Sequence, residues 1–353
     1  MNNKKRQIFT VLMLLLVILG CTGCGKISNN TEVVLTTGFA KDEVFRIETI
    51  SCTLPEIMVY LTNTQNQYES VYGNTIWQTD LNGVTLEDNV KETVLAKIAQ
   101  IKAMNLLAKS HGIILSEEEL KLVDTAASEY YGSLNETEIK DMNITKDVIV
   151  NLYSEYALAD KVYNDIIKDI NPEISDDEAR TITVEQILFK TYSLDSDGNR
   201  VVCTDAYKAQ QYQKAQEVLT QLSAGTSFED LMTTYSEDNT GTYSFGKGEM
   251  EATFEEAAFQ LGNDEVSGII ENDEGYHIIK CISTFNREET DANKIKIVEQ
   301  RKNEVFGEEY DTFVSTLKKN INQNLWDSVT FIHDEKVTTK TFFDVYDRYF
   351  QVS

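Results

Sequence analysis

Apolar positions along this chain follow two different periods, and the change between them divides it. Val44-Phe45-Arg46-Ile47 alternates like a short strand. Thr53, Pro55 and Glu56 then predict a helix start, because threonine caps, proline fits a first turn and glutamate reaches back to the cap. Asn82-Gly83 is a turn signal. Val90, Val94, Ile98 and Ile101, with Leu106 and Leu107 beyond, place one apolar stripe on a helix over 86–109, closed by His111-Gly112. Ser116 with Glu119 forms a capping box for a second helix, and Asn135 with Glu138 opens a short one. Thr145 opens another, with Val148, Leu152, Tyr156, Ala159 and Tyr163 on one face to about 168. Asn171-Pro172 stops the pattern, so residues 44 to 170 are predicted to be mostly helical.

From Thr181 to Tyr192 the residues turn β-rich, and Asp195-Ser196-Asp197-Gly198 follows as a hairpin turn. Helices are expected over 205–223, 228–235 and 254–261, and a strand over 274–282. That order predicts a small α+β domain of roughly 100 residues. A charged helix returns over 291–320, carrying Val298, Val305, Tyr310, Phe313 and Leu317. Ser328-Val329-Thr330-Phe331-Ile332 reads as a strand, with Thr338 or Thr339 capping a last helix around Phe342-Phe343. The strand–turn–helix order at both ends predicts that they pack together and that the middle domain is inserted into a helical body. The links near Asn171–Ser175 and Phe285–Asp291 would then be the first protease sites.

The first residues change the picture of where the chain works. Lys4-Lys5-Arg6 precedes an apolar run of 13 residues from Ile8 to Gly20, and small residues follow. This is the pattern of a secretory signal. The run is shorter than the about 20 residues that span a bilayer. Two cysteines compete as its endpoint. Thr22-Gly23-Cys24 has the small residues, and Ile18-Leu19-Gly20-Cys21 has the aliphatic one. The segment resembles the lipobox of bacterial lipoproteins, which implies lipidation, with Cys24 preferred. Residues 25 to about 43 are polar and read as a tether. The other cysteines, Cys52, Cys203 and Cys281, lie far apart without C-x-x-C spacing, so buried apolar thiols are expected rather than a disulfide framework.

Charge and missing motifs exclude whole classes. Acidic residues number 58 against 32 basic ones, for a formal net charge of −26. Such a field repels phosphate backbones, so no nucleic-acid partner is expected. It also opposes adsorption to an anionic membrane through a basic surface. There is no H-E-x-x-H, G-x-S-x-G, P-loop or G-x-G-x-x-G. In a Ca²⁺-loop register around Asp195 the twelfth residue is Thr204, where a carboxylate is needed, so no metal is expected there. Two α/β lobes of a solute-binding protein do not fit the long helical stretches.

Six segments in order then resemble a parvulin-type peptidyl-prolyl isomerase domain. They are 184–188 (Val-Glu-Gln-Ile-Leu), 224–231 (Ala-Gly-Thr-Ser-Phe-Glu-Asp-Leu), 235–238 (Tyr-Ser-Glu-Asp), 246–259 with its Gly-Lys-Gly-Glu-Met and Phe-Glu-Glu-Ala-Ala-Phe blocks, 265–270 (Glu-Val-Ser-Gly-Ile-Ile) and 275–280 (Gly-Tyr-His-Ile-Ile-Lys). The layout around them is similar to the secreted foldases of the PrsA and SurA type. The resemblance implies an α+β fold, with a helical SurA-N-like chaperone body and an inserted parvulin-like domain. The expected divisions are a signal at 1–23, a tether at 24–43, a helical chaperone domain at 44–175, the isomerase domain at 178–286 and a helical segment at 287–353 that completes the body.

The resemblance also assigns residues. His277 is the family's strand-end histidine, in a hydrogen-bond network under the rotating bond. Asp238 stands where the family carries Cys or Asp, expected to polarise that network or raise the pKa of His277. Gln186 replaces the family's other histidine and keeps hydrogen bonding without a titratable group. Met250 and Phe254 are the expected proline-pocket floor, with Phe259 as core support. Tyr243 lies in a shortened segment, Gly241-Thr242-Tyr243-Ser244-Phe245, beside the substrate. No cofactor or metal is implied. The expected activity is isomerisation of X–Pro bonds in unfolded or secreted client proteins, by a chain held at the extracytoplasmic face of the cell membrane through its lipid; a homodimer is compatible with it. The alternative is a scaffold lipoprotein whose parvulin domain binds extended chains without catalysis. Tyr130, Tyr131, Tyr153, Tyr156 and Tyr163 would either line a client groove or pack between helices.

Overall fold

The computed structural model describes residues 38–350 except Asn82 and Asp197. The expected signal, Cys21, Cys24 and most of the tether therefore lie outside the described residues. Strand β1 (Glu43–Ile47) turns back into β2 (Ile50–Thr53), and helix α1 (Leu54–Tyr72) follows directly. Its start is built as the sequence predicts: the Thr53 amide donates to Glu56 Oε2 at 2.6 Å, with Pro55 in the first turn. Helix α2 (Leu86–Ser110) buries Val90, Val94, Ile98, Ile101 and Leu107, the predicted stripe. Helices α3 (Glu117–Ser133), α4 (Glu136–Asp141) and α5 (Lys146–Ile167) begin at the expected caps, two of them closed by reciprocal bonds with Glu119 and Glu138. Tyr130 and Tyr153 are fully buried, and Tyr131, Tyr156 and Tyr163 pack against the same core. The tyrosines thus pack between helices.

Strand β3 (Ile182–Lys190) opens the second part, followed by the hairpin β4 (Tyr192–Leu194) and β5 (Arg200–Val202), which encloses the expected turn. Helices α6 (Asp205–Ser223) and α7 (Phe228–Tyr235), strand β6 (Thr242–Phe245), helix α8 (Ala252–Gln260) and strands β7 (Ile270–Glu271) and β8 (Gly275–Ser283) complete it. The sheet runs β6-β3-β8-β7, and all its pairings are antiparallel. Side chains alternate across a strand. Ile187, Phe189, Tyr276 and Ile278 share one core with Ala215, Val218, Phe228 and Leu231 of α6 and α7. Ile182, Val184 and Ile279 share the other with Phe245 and with Phe254 and Ala258 of α8. Gln186 and His277 fall on this second face by the same alternation.

The return to helix departs from expectation at its ends. Helix α9 (Arg287–Ser315) begins at the Asn286 cap. The Asn286 amide donates to Thr181 O, and the buried Thr290 hydroxyl accepts from the Thr181 amide. The stretch expected as a loose second link is therefore a packed first turn. The helix stops at Ser315, and Lys319–Ile321 forms strand β9 against β1 instead. The short helix α10 (Gln323–Asp327) follows. The expected strand over Ser328–Ile332 is absent, although Val329 and Phe331 are buried. Its neighbourhood is fixed by side-chain amides of α1: Gln65 donates to Ile332 O, and Asn66 to Val337 O and Thr339 O. These bonds fix the chain at Ile332 and beyond it without a strand ladder. Thr338 and Thr339 do not cap the last helix, α11 (Phe342–Phe350); their amides donate to Glu138 Oε1, and Thr341 O accepts the first helical bond. Phe342 stacks on Tyr153 at 4.5 Å and joins the core of α1, α2, α3 and α5, which also takes Phe306, Trp326 and Tyr346. Among the described residues Cys52, Cys203 and Cys281 are free thiols.

Candidate active site

The site forms where the second core face of the sheet meets the turn after α7. Leu188 and His277 are cross-strand partners, as are Gln186 and Ile279, so Gln186 and His277 are diagonal neighbours on one face. His277 is 2% exposed and Gln186 4%. His277 Nδ1 lies 2.8 Å from Gln186 Oε1, and Gln186 Nε2 donates to Asp238 Oδ2 at 2.7 Å. Asp238 is held in place because its turn is stapled to β3: the Glu237 amide donates to Leu188 O, and Ser236 Oγ accepts from the Leu188 amide. The Tyr243 hydroxyl donates to the same carboxylate oxygen at 2.7 Å, and the Gly241 amide at 3.1 Å. The two expected groups of histidine, glutamine, aspartate and tyrosine are thus one connected chain.

Electrostatics sort the members. Partial burial pushes the Asp238 carboxyl up, but the hydrogen bonds from Tyr243, the Thr240 amide, Gln186 and the Gly241 amide outweigh it and leave its pKa below the usual Asp value. Tyr243 is held above the usual phenol value by burial and by Asp238. Burial lowers the His277 pKa, and Glu274, Glu251 and Asp238 pull against it without prevailing. Asp238 was expected to raise that pKa; it acts at one remove, through Gln186, and desolvation wins.

Phe254 is 2% exposed and meets the His277 ring edge-on, centroids 5.3 Å apart. It also packs on Phe245, and Met250 is half-buried against the same cluster. Phe259 packs on Phe245 under the Arg180 guanidinium, the supporting position expected of it. The Met250 loop is held by Glu255, whose carboxylate accepts from the amides of Gly248, Glu249 and Met250.

Two contributors escaped the sequence reading. Asn272, in the turn before β8, places its Oδ1 2.8 Å from His277 Nε2 and accepts from the amides of Glu274 and Gly275. Glu251, the cap of α8, accepts from Asn272 Nδ2 at 3.3 Å. The available signal was the Asn two residues before the Glu274-Gly275 pair, an Asx-turn pattern that reads as loop punctuation. Gly275 is fixed for a separate reason: a Cβ there would sit 2.0 Å from Phe189 O. Among the described residues no cluster of His, Cys, Asp and Glu could hold a metal ion.

Comparison with known proteins places the same segment in a described family. Residues 187–283 match the rotamase family model, a PPIC-type PPIase domain. The foldase protein PrsA of Caldanaerobacter subterraneus is 27% identical over 326 residues, which cover 89% of this chain and 95% of that protein. The foldase protein PrsA 1 of Listeria monocytogenes is 29% identical over 175 residues, 48% of this chain, and the match spans about half of that protein, 54%. A solved peptidylprolyl isomerase (PrsA) from Bacillus cereus aligns with 76% of this chain and 97% of its own, at 18% identity and a TM-score of 0.37. The chain is PrsA-like, and residues 187–283 are its parvulin, PPIC-type peptidyl-prolyl cis–trans isomerase domain.

Proposed function

We propose that this protein is a foldase anchored by an N-terminal lipid at the extracytoplasmic face of the membrane, isomerising X–Pro bonds in secreted clients and chaperoning them through its helical body. Rotation about an X–Pro bond crosses a barrier of about 18–20 kcal/mol because amide resonance must be lost. No nucleophile is required. A site accelerates the rotation by gripping the proline ring and favouring the twisted amide over the planar one. The observation that carries this reading is the connected chain His277–Gln186–Asp238–Tyr243, buried at His277 and Gln186 and half-buried at Asp238 and Tyr243, with Phe254 packed against its histidine. It offers fixed dipoles under an apolar floor, at a place where the amide is desolvated as it turns. In the same reading residues 44–175 and 287–353 form one chaperone body, and 178–286 is the inserted catalytic lobe. The acidic surface then tends to select cationic clients.

A binding-only chaperone is favoured by one observation: Phe254 is nearly covered, so an extended chain would meet more of Met250 than of the ring. Protease-coupled isomerisation of a short X–Pro peptide by the full chain decides between the two. Turnover that disappears with Phe254→Ala in a folded protein supports the foldase. Absence of turnover, with retained suppression of client aggregation, supports the binder. Mass spectrometry of the processed N-terminus tests the anchor; an unlipidated terminus other than Cys24 or Cys21 defeats it.

A further inference from the structure

The proton count around His277 does not close for a neutral ring. Both ring nitrogens face carbonyl oxygens at 2.8 Å, Gln186 Oε1 and Asn272 Oδ1. Neither amide is free to turn over. Gln186 must present its NH₂ to the Asp238 carboxylate, which accepts it at 2.7 Å. Asn272 must present its oxygen to the backbone N–H groups of Glu274 and Gly275, and its NH₂ to Glu251. A neutral imidazole has one N–H and one lone pair, so one of the two contacts would set a lone pair against an oxygen. Only the imidazolium donates to both.

We propose that Asn272 is a positioning residue of the isomerase site, which with Gln186 holds His277 as a ring donating from both nitrogens, so that the network under the rotating bond is complete only when His277 is protonated. The charged groups that act on the ring agree in sign: Glu274 in the turn before β8, Glu251 at the cap of α8 and Asp238 after α7; Tyr243 on β6 is a neutral phenol bonded to Asp238. Burial works the other way and confines the charged ring to the acidic side of the usual histidine range. Above that range the ring loses one proton, one arm of the network lets go, and the floor beneath the proline pocket loosens. Catalysis by the domain should therefore fall as pH rises through the His277 titration, the reverse of what a general-base histidine would give.

This rests on the isomerase reading, and the test has an arm that does not. In the full chain labelled with ¹⁵N-histidine there are three histidines, and His277→Gln assigns the relevant signals. Expected at low pH are two protonated ring nitrogens on His277, both slowly exchanging. The kcat/KM for a short X–Pro peptide should follow the same one-proton titration. Asn272→Asp, which sets a carboxylate against Nε2, should move both midpoints upward by about one unit, a tenfold gain in proton affinity. Asn272→Ala should lower kcat on the order of tenfold with little change in KM, as expected for lost orientation. A His277 that stays neutral through the pH range where turnover is highest overturns the proposal, as does an Asn272→Asp chain with unmoved midpoints. No turnover at any pH, with His277 titrating as described, would instead defeat the isomerase reading and leave the proton count standing.

Discussion

Phe254→Ala removes the ring that meets both His277 and Phe245. It should lower catalytic efficiency strongly and also cost about 3–5 kcal/mol of domain stability, because the ring is core as well as floor. Met250→Ala is the cleaner probe. Met250 is half-buried, so efficiency should fall while the melting temperature moves little. Peptide isomerisation beside thermal melts separates the two effects, and an unchanged rate in Met250→Ala would remove it from the pocket. Gln186→His restores the titratable group that the family carries there. The geometry makes the outcome less simple than the sequence implies, because Gln186 donates to Asp238 and accepts from the His277 side at once. A histidine donates from one nitrogen and accepts at the other, so it can bridge the same two partners. Activity should be kept or raised. A folded but slower variant would show that the amide's length, not its hydrogen bonding, is what the site uses.

Single elements carry the next level. Strand β8 can start where it does because Gly275 passes against Phe189 with no room for a side chain. Gly275→Ala sets a Cβ into backbone, which cannot retreat like a side-chain tip. A loss of at least about 3 kcal/mol is expected, seen as a lower denaturant midpoint for the isomerase lobe. In the helical body, Lys102 of α2 is buried and reaches Glu56 of α1 at 2.8 Å and Glu155 of α5 at 2.9 Å. Burial opposes its charge, the two carboxylates outweigh burial, and its pKa is pushed up to about 12. That stabilisation is fully present below the lysine's unfolded value and is lost only as pH rises through about 12. Lys102→Met leaves two carboxylates buried without a cation and should cost about 3–5 kcal/mol at neutral pH. The deficit should shrink in acid as Glu155, whose pKa burial raises, takes up a proton. A penalty that does not vary with pH would mean lost packing, not lost charge, is responsible. Elements of this kind were legible where a local rule decides them. Thr53, Ser116 and Asn135 mark helix starts correctly because a cap interacts within three residues. The network at Gln186, Asp238 and His277 was legible through motif order. Asn272 was not, because its role depends on a turn bringing it to a ring five residues on, and nothing in its neighbours marks that. The strand expected at 328–332 failed for a similar reason: α1 amides from more than 260 positions away hold the carbonyl of Ile332 at its end and that of Val337 just beyond it.

At the scale of the whole molecule, the two ends of the body are bound to one another by contacts that do not pass through the isomerase lobe. Strand β9 pairs with β1, Asn66 holds the carbonyls of Val337 and Thr339, and Phe342 enters the core beside Tyr60 and Tyr153. The first half of α9 holds the lobe: Thr290 and Asn293 bond to residues 179–181, Arg301 pairs with Glu178 and Lys296 with Glu249, while Lys294 pairs with Asp176 in the link before it. These ion pairs are partly exposed, so each contributes little and salt screens it. Proteases should therefore enter first near 171–175, and more readily as salt rises, while 285–291 stays protected inside its helical turn. Replacing 178–286 by a short Gly/Ser bridge should leave a body that unfolds in one cooperative transition. Its cost should be confined to fraying of the first turns of α9, which lose Thr181 and Ala179. Amide exchange distinguishes the outcomes. Protection retained at β1 and β9 with loss limited to 287–300 means the body closes on itself; loss of protection at β1 means the ends associate only through the lobe, and the inserted arrangement is wrong.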